Sequence, residues 1–78
     1  MLAQALEHLV AGIVEHPDDV TVRTRQQRRG QLLQVHVHPD DLGKVIGRGG
    51  RTATAFRTVV SALADDNVRI DFVDVDER

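Results

Sequence analysis

The sequence has no cysteine, tryptophan or tyrosine, and only two of its 78 residues are phenylalanine. Without cysteine there is no disulfide framework and no thiolate chemistry, so the fold must rest on packing or on a partner, which suits a reducing compartment. Two aromatic rings, Phe56 and Phe72, are too few for the platform of stacked side chains on which many RNA-binding sheets hold bases. Any nucleic-acid contact must use other chemistry. No apolar run reaches the roughly 18 residues of a membrane span, and the chain opens on an amphipathic stretch rather than a basic region followed by an apolar one. The expectation is a cytoplasmic protein with no membrane association. A chain of 78 residues allows one domain over 1–78, whose folding buries about 60% of the unfolded surface, so the core is small.

The formal net charge of −2 conceals a partition. Residues 1–22 carry four acids and no lysine or arginine, for −4; residues 23–57 carry eight bases against Asp40 and Asp41, for +6; residues 58–78 carry six acids against Arg69 and Arg78, for −4. A local cationic field attracts polyanions even when the whole chain is slightly acidic. The alternative is a solvated mixture of charges.

Leu2, Leu6, Leu9, Val10 and Ile13 recur at helical spacing, and the run stops before "EHPDD", whose Pro17 cannot continue a helix; a first helix ending near Glu15 is expected. "VTVRTR" alternates Val20 and Val22 with Thr21 and Arg23, and "QLLQVHV" alternates Leu33, Val35 and Val37 with Gln34 and His36. Both read as half-buried strands, and "QQRRG" between them suits a hairpin. "HPDDLGKVI" places a proline in a first helical turn and follows it with Asp40 and Asp41, acids that favour a helix N-terminus, so a short helix is expected. Phe56, Val59, Val60 and Leu63 mark a further amphipathic helix ending at "ADDN", and "VRIDFV" alternates as a third strand. The predicted order is αββααβ, an α+β fold in which three helices cover one face of a three-stranded sheet. Its predicted core is Leu6, Leu9, Ile13, Val22, Val35, Val37, Phe56, Val60, Leu63, Ile70 and Phe72.

Between the two later helices lies "VIGRGGRT", residues 45–52, with three glycines and two arginines. Gly47 can end the short helix in a left-handed conformation, and Gly49 and Gly50 leave backbone bare where another molecule's backbone could approach. A helix starts directly afterwards; its free N–H groups favour an anion, to which Arg48 and Arg51 add forked donors matched to phosphate. A tight turn with solvated arginines is the competing reading. The spacing is not that of a Walker loop, which follows a strand and ends in Gly-Lys-Ser/Thr, nor of the dinucleotide fingerprint, which would need glycine where Thr52 stands.

This stretch, set between two helices in αββααβ order, resembles the GxxG motif of a KH domain, with Gly47, Arg48, Gly49 and Gly50 matching it. The element order resembles the type II, prokaryotic arrangement over essentially the whole chain, and the length resembles small stand-alone bacterial KH proteins of the KhpA kind. The resemblance implies a non-catalytic RNA-binding protein, an RNA chaperone or post-transcriptional regulator. Its GxxG loop would clamp the backbone of about four nucleotides of single-stranded RNA, with bases in an adjacent aliphatic groove. Carried onto this chain, the clamp is Gly47, Arg48, Gly49 and Gly50, flanked by Lys44 and Arg51. Val45 and Ile46, with Leu42, are candidates for the groove wall, and core packing is the other reading of Val45 and Ile46. Many KH motifs carry isoleucine three residues after the last glycine, where this chain has Ala53, which implies a wider groove. Arg23, Arg25, Arg28 and Arg29 either extend the cationic surface or form a solvated strand face. The resemblance also implies self-association as a homodimer or pairing with a second KH-containing protein; an assembly module that binds no nucleic acid is the alternative function.

His36 and His38 stand two apart, but no cysteine or clear third ligand accompanies them, so no metal site is expected; His8 and His16 read as surface residues. No serine or threonine has an identifiable paired base, and the carboxylates cluster at helix ends and in the acidic tail. Neither catalysis nor a cofactor is expected.

Overall fold

A computed structural model of the chain describes residues 2–63 and 67–76. Helix α1 spans Leu2–Ala11, a 3-10 turn Pro17–Asp19, strand β1 Thr21–Gln27, strand β2 Gly30–Val37, helix α2 Pro39–Ile46, a second 3-10 turn Arg48–Gly50, helix α3 Arg51–Leu63 and strand β3 Val68–Asp74. The predicted order is the observed one. The expected end of α3 at "ADDN" and the last residues of the acidic tail fall mostly outside the described residues.

β1 and β2 pair antiparallel, Gln27 opposite Gly30 across a two-residue turn at Arg28 and Arg29. β2 and β3 pair parallel, from Gln31 opposite Val68 to Val37 opposite Asp74. A parallel pair needs a crossover connection, and here α2, the glycine turn and α3 provide it. The sheet order β1-β2-β3 leaves β3 with a free edge. Val35, Val37, Ile70 and Phe72 point to one face and are buried there with Leu33 against Leu6, Val10, Val45, Ala53 and Val60 of the helices.

Helix α1 ends four residues earlier than its apolar spacing predicts. Gly12 is a poor helix former, and the N–H groups of Glu15 and His16 donate to the carboxylate of Asp41, at 3.1 and 2.9 Å, instead of to helical carbonyls. A distant side chain thus competes with the helix for its last donors. Three residues assigned to the core are exposed: Leu9 (45%), Ile13 (44%) and Leu63 (66%). Ile13 has left the helical register, Leu63 is the last residue of α3, and Leu9 lies beside the Leu6 and Val10 stripe that α1 buries. Val22 and Phe56 are half-buried.

Candidate nucleic-acid interface

Pro39 occupies the start of α2, where a missing N–H costs nothing. His38 caps the helix: its Nδ1 accepts the N–H of Asp40 at 3.0 Å, and its carbonyl accepts the N–H of Asp41 at 2.8 Å. At the other end the Gly47 N–H donates to the Gly43 carbonyl at 2.9 Å, closing the helix. Gly47 has φ 77° and ψ 170°, so its φ is positive as expected, but the backbone is extended rather than left-handed helical. A side chain there is excluded twice over, by the positive φ and because a Cβ would overlap Thr52.

The turn that follows behaves differently. Gly49 (φ 65°, ψ 18°) and Gly50 (φ 76°) also have positive φ, yet a Cβ on either would meet nothing within 4 Å. Their backbone is bare toward solvent. The N–H groups of Gly50 and Arg51 are used inside the turn, on the carbonyls of Gly47 and Arg48. Among the described residues no backbone carbonyl outside the helices takes the N–H of Arg48 or Gly49. Thr54 Oγ1 donates to the Gly50 carbonyl at 2.9 Å and ties the first turn of α3 to the loop. Arg48 and Arg51 are both exposed. Bare backbone, a helix N-terminus and two guanidinium groups together suit an anion approached by its own backbone.

The structure separates the two adjacent aliphatic candidates. Val45 is fully buried in the core, whereas Ile46 is 38% exposed beside the loop; Leu42 packs half-buried against the core. Lys44 points to Glu15, with Nζ 2.7 Å from Oε1. The hydrogen bond and charge of Lys44 hold the Glu15 carboxyl below its ordinary range; as an exposed pair it adds little stability. Ala53 is buried at 3% exposure, so the departure from the common motif lies beneath the loop rather than on an exposed wall. The two phenylalanine rings pack on each other with centroids 5.9 Å apart, and the Arg57 guanidinium lies 6.0 Å from the Phe72 centroid. A depression of about 610 Å³ lies along the free edge of β3, lined by Gln27, Leu32, Arg57, Ser61 and residues 68–71; none of Gly47, Arg48, Gly49 or Gly50 lines it.

Asp41 is a feature the sequence reading did not single out. It is fully buried yet accepts the N–H groups of Glu15 and His16 and faces His16 Nδ1 at 3.1 Å. Burial alone would push its carboxyl up, but these two N–H groups and the His16 ring outweigh burial and hold it below the ordinary range. His16, expected at the surface, is half-buried and stacks on His38 at 3.9 Å between centroids. His38 lies just past β2 as a helix cap, so His36 and His38 do not form a strand pair. Among the described residues His16, His38 and Asp40 are the one trio with donor atoms within 4.8 Å of one another. Both ring Nδ1 atoms are already engaged, one against Asp41 and one as the cap of α2.

Residues 3–75 match the family model described as KhpA/KhpB, KH domain. The chain is 67% identical to the RNA-binding protein KhpA of Streptomyces coelicolor, over 97% of this chain and 96% of that one. It is 58% identical to the RNA-binding protein KhpA of Mycobacterium tuberculosis, over 99% and 96% of the two chains. With the RNA-binding protein KhpA of Halalkalibacterium halodurans it shares 46% identity over 88% and 95%. No solved structure gives a significant match.

Proposed function

The chain belongs to the KhpA/KhpB family of KH domains, and from that premise we propose that residues 1–78 act as one non-catalytic RNA-binding domain. The curated relatives named RNA-binding proteins support this reading across nearly their full length. In it, Gly47, Arg48, Gly49 and Gly50 clamp the sugar-phosphate backbone of single-stranded RNA, Arg51 adds a second guanidinium, and Ile46 supplies the exposed aliphatic contact for a base. Val45 shapes the clamp from the core side, and Lys44 contributes a charge shared with Glu15. The observation that carries the reading is the open space above Gly49 and Gly50 at positive φ, directly before α3. Positive φ alone would select glycine in any tight turn; what supports the clamp is that both positions also leave open space beside the exposed Arg48 and Arg51.

The role that follows is RNA chaperone or post-transcriptional regulator, acting in the cytoplasm. No described helix is long and apolar enough to cross a membrane. A homodimer, or a pair with a second KH-containing protein, is a compatible reading favoured by the exposed Leu9, Ile13, Val59 and Leu63 of the α1 and α3 region. The test of the RNA reading is competition. A single-stranded RNA displaces a labelled strand from the protein, and a perfect duplex of equal length does not, because a duplex cannot splay its bases. Equal displacement by both would reduce the site to a non-selective cationic surface.

A further inference from the structure

The three helices cover one face of the sheet, and the other is open. Strand alternation and register define what stands there: Arg25, Leu32 and Arg69 form one cross-strand row, and Arg23, Gln34 and Asp71 form the next. Arg28 and Arg29 extend the charge into the hairpin turn. All five of these arginines are exposed, and Asp71 is the acid among them in these rows. The ion pairs among the described residues are His16 with Asp41, His38 with Asp40 and Lys44 with Glu15, so none engages these guanidinium groups.

Two concavities lie at this end of the sheet. The one of about 610 Å³ takes lining from both sides of the free β3 edge, Arg57 and Ser61 from α3 and Leu32 and Arg69 from the open face. The other, about 290 Å³, is lined by Arg29, Gly30, Gln31 and Asn67 and shares Gln27, Val68 and Arg69 with the first. Both join arginine to amide side chains, groups that bond phosphate, sugar and base edges. The row after these is Thr21, His36 and Val73, so Leu32 and Val73, both half-buried, are the apolar side chains of the three rows, which is too little to drive a dry protein interface.

We propose that this open sheet face and hairpin form a second RNA-backbone contact, centred on Arg25, Arg29 and Arg69, which a strand held by the glycine clamp reaches around the free edge of β3. The inference rests on the RNA-binding reading of the clamp and goes beyond it. Charge complementarity selects the occupant: among the described residues of the first two rows and the hairpin turn, five forked guanidinium donors stand against one acid, Asp71, and suit a phosphate chain. One protein then holds two segments of a strand, or two strands, as bringing RNA segments together requires.

The test uses the full chain and two labelled oligouridylates, one of about four nucleotides, the length the clamp covers, and one about five times longer. In Arg25→Glu/Arg69→Glu, tetranucleotide affinity should stay within about twofold of the parent. Long-strand affinity should fall about tenfold or more, and the slope of log affinity against log salt should shrink by about 1.4, at about 0.7 per lost single-strand phosphate contact. Arg48→Asp should weaken both strands. Unchanged long-strand affinity and slope in the sheet pair, with normal tetranucleotide binding, overturns this inference alone. If the parent binds neither strand, the clamp reading fails and takes this one with it. Loss of self-association in sedimentation with unchanged long-strand binding would make the face an interface between copies and also overturn the inference. Arg25→Gln/Arg69→Gln, checked by circular dichroism, gives the same comparison should the reversed pair fail to fold.

Discussion

Replacing Arg48 and Gly49 together by aspartate should abolish RNA binding while leaving a folded protein. The two costs are separable because the structure places them in different terms. Gly49 sits at φ 65° and ψ 18°, the left-handed region, and a Cβ there meets nothing within 4 Å, so the structural cost is backbone strain without a clash. That strain is about 1–2 kcal/mol for an ordinary residue and nearer 1 for aspartate, which tolerates the region better than most. A 78-residue domain has a stability of about 4–12 kcal/mol, so the fold survives with a melting temperature lowered by about 5 °C. On the binding side, loss of a charge-assisted bond from Arg48 costs about 1.5–3 kcal/mol, and two carboxylates facing phosphate add several more by like-charge repulsion. At about 1.4 kcal/mol per factor of ten, affinity should fall by more than about 100-fold. The assay is fluorescence anisotropy with a single-stranded oligonucleotide at fixed salt, with a melting curve on the same preparation. A variant that melts within about 8 °C of the parent and binds within about threefold would refute the clamp and leave a simple turn.

Three further substitutions probe the frame around the loop. Asp41→Asn removes a buried carboxylate that holds two backbone N–H groups, and should cost about 2–3 kcal/mol, or about 10–20 °C in melting temperature. Because the folded-state pKa of Asp41 is lowered, its stabilisation is complete above the unfolded value near 3.8 and is lost as pH falls through the folded one. The parent should therefore lose stability below about pH 4 more steeply than Asp41→Asn, and parallel pH profiles would contradict this. Gly47→Ala should lower stability by about 2 kcal/mol or more, through positive φ and overlap with Thr52, and a neutral result in thermal melting would count against the loop geometry. Gly43→Ala should do the opposite, adding about 0.5–1 kcal/mol, since a helical Cβ at that position meets nothing within 4 Å; a destabilised protein would show that the position is not open surface.

The glycine loop was legible in the sequence because positive φ selects glycine locally, whatever the tertiary context. Strand alternation was legible for the same reason, since Val35, Val37, Ile70 and Phe72 carry their facing in their spacing. Asp41 was not. Adjacent acids after His38 and Pro39 read alike, as two residues favouring a helix start, yet Asp40 is exposed and Asp41 is fully buried, where the distant Glu15 and His16 N–H groups meet its carboxylate. The same long-range contact shortens α1, which no local propensity announces. Between Val45 and Ile46, helical spacing alone leaves the inward member open. Arg69 meets Arg25 across Leu32 only through the parallel register of β3, which depends on chain 37 positions away.

That parallel register also orders the events of folding. The β1–β2 hairpin closes across two turn residues, whereas each β2–β3 pair joins positions 37 apart, at an additional loop-closure entropy of about 2 kcal/mol. Local pairing precedes distant pairing when stabilities are comparable. The hairpin is thus the early unit and the docking of β3 the late one. Residues 47–50 lie inside the connection that this late step closes, and the sheet contacts of α2 and α3 are chiefly with β3. The loop's own hydrogen bonds join near neighbours in the chain, so what awaits the docking of β3 is the seat of the clamp beside the sheet, and the clamp and the hairpin arginines are expected to come into register at that step.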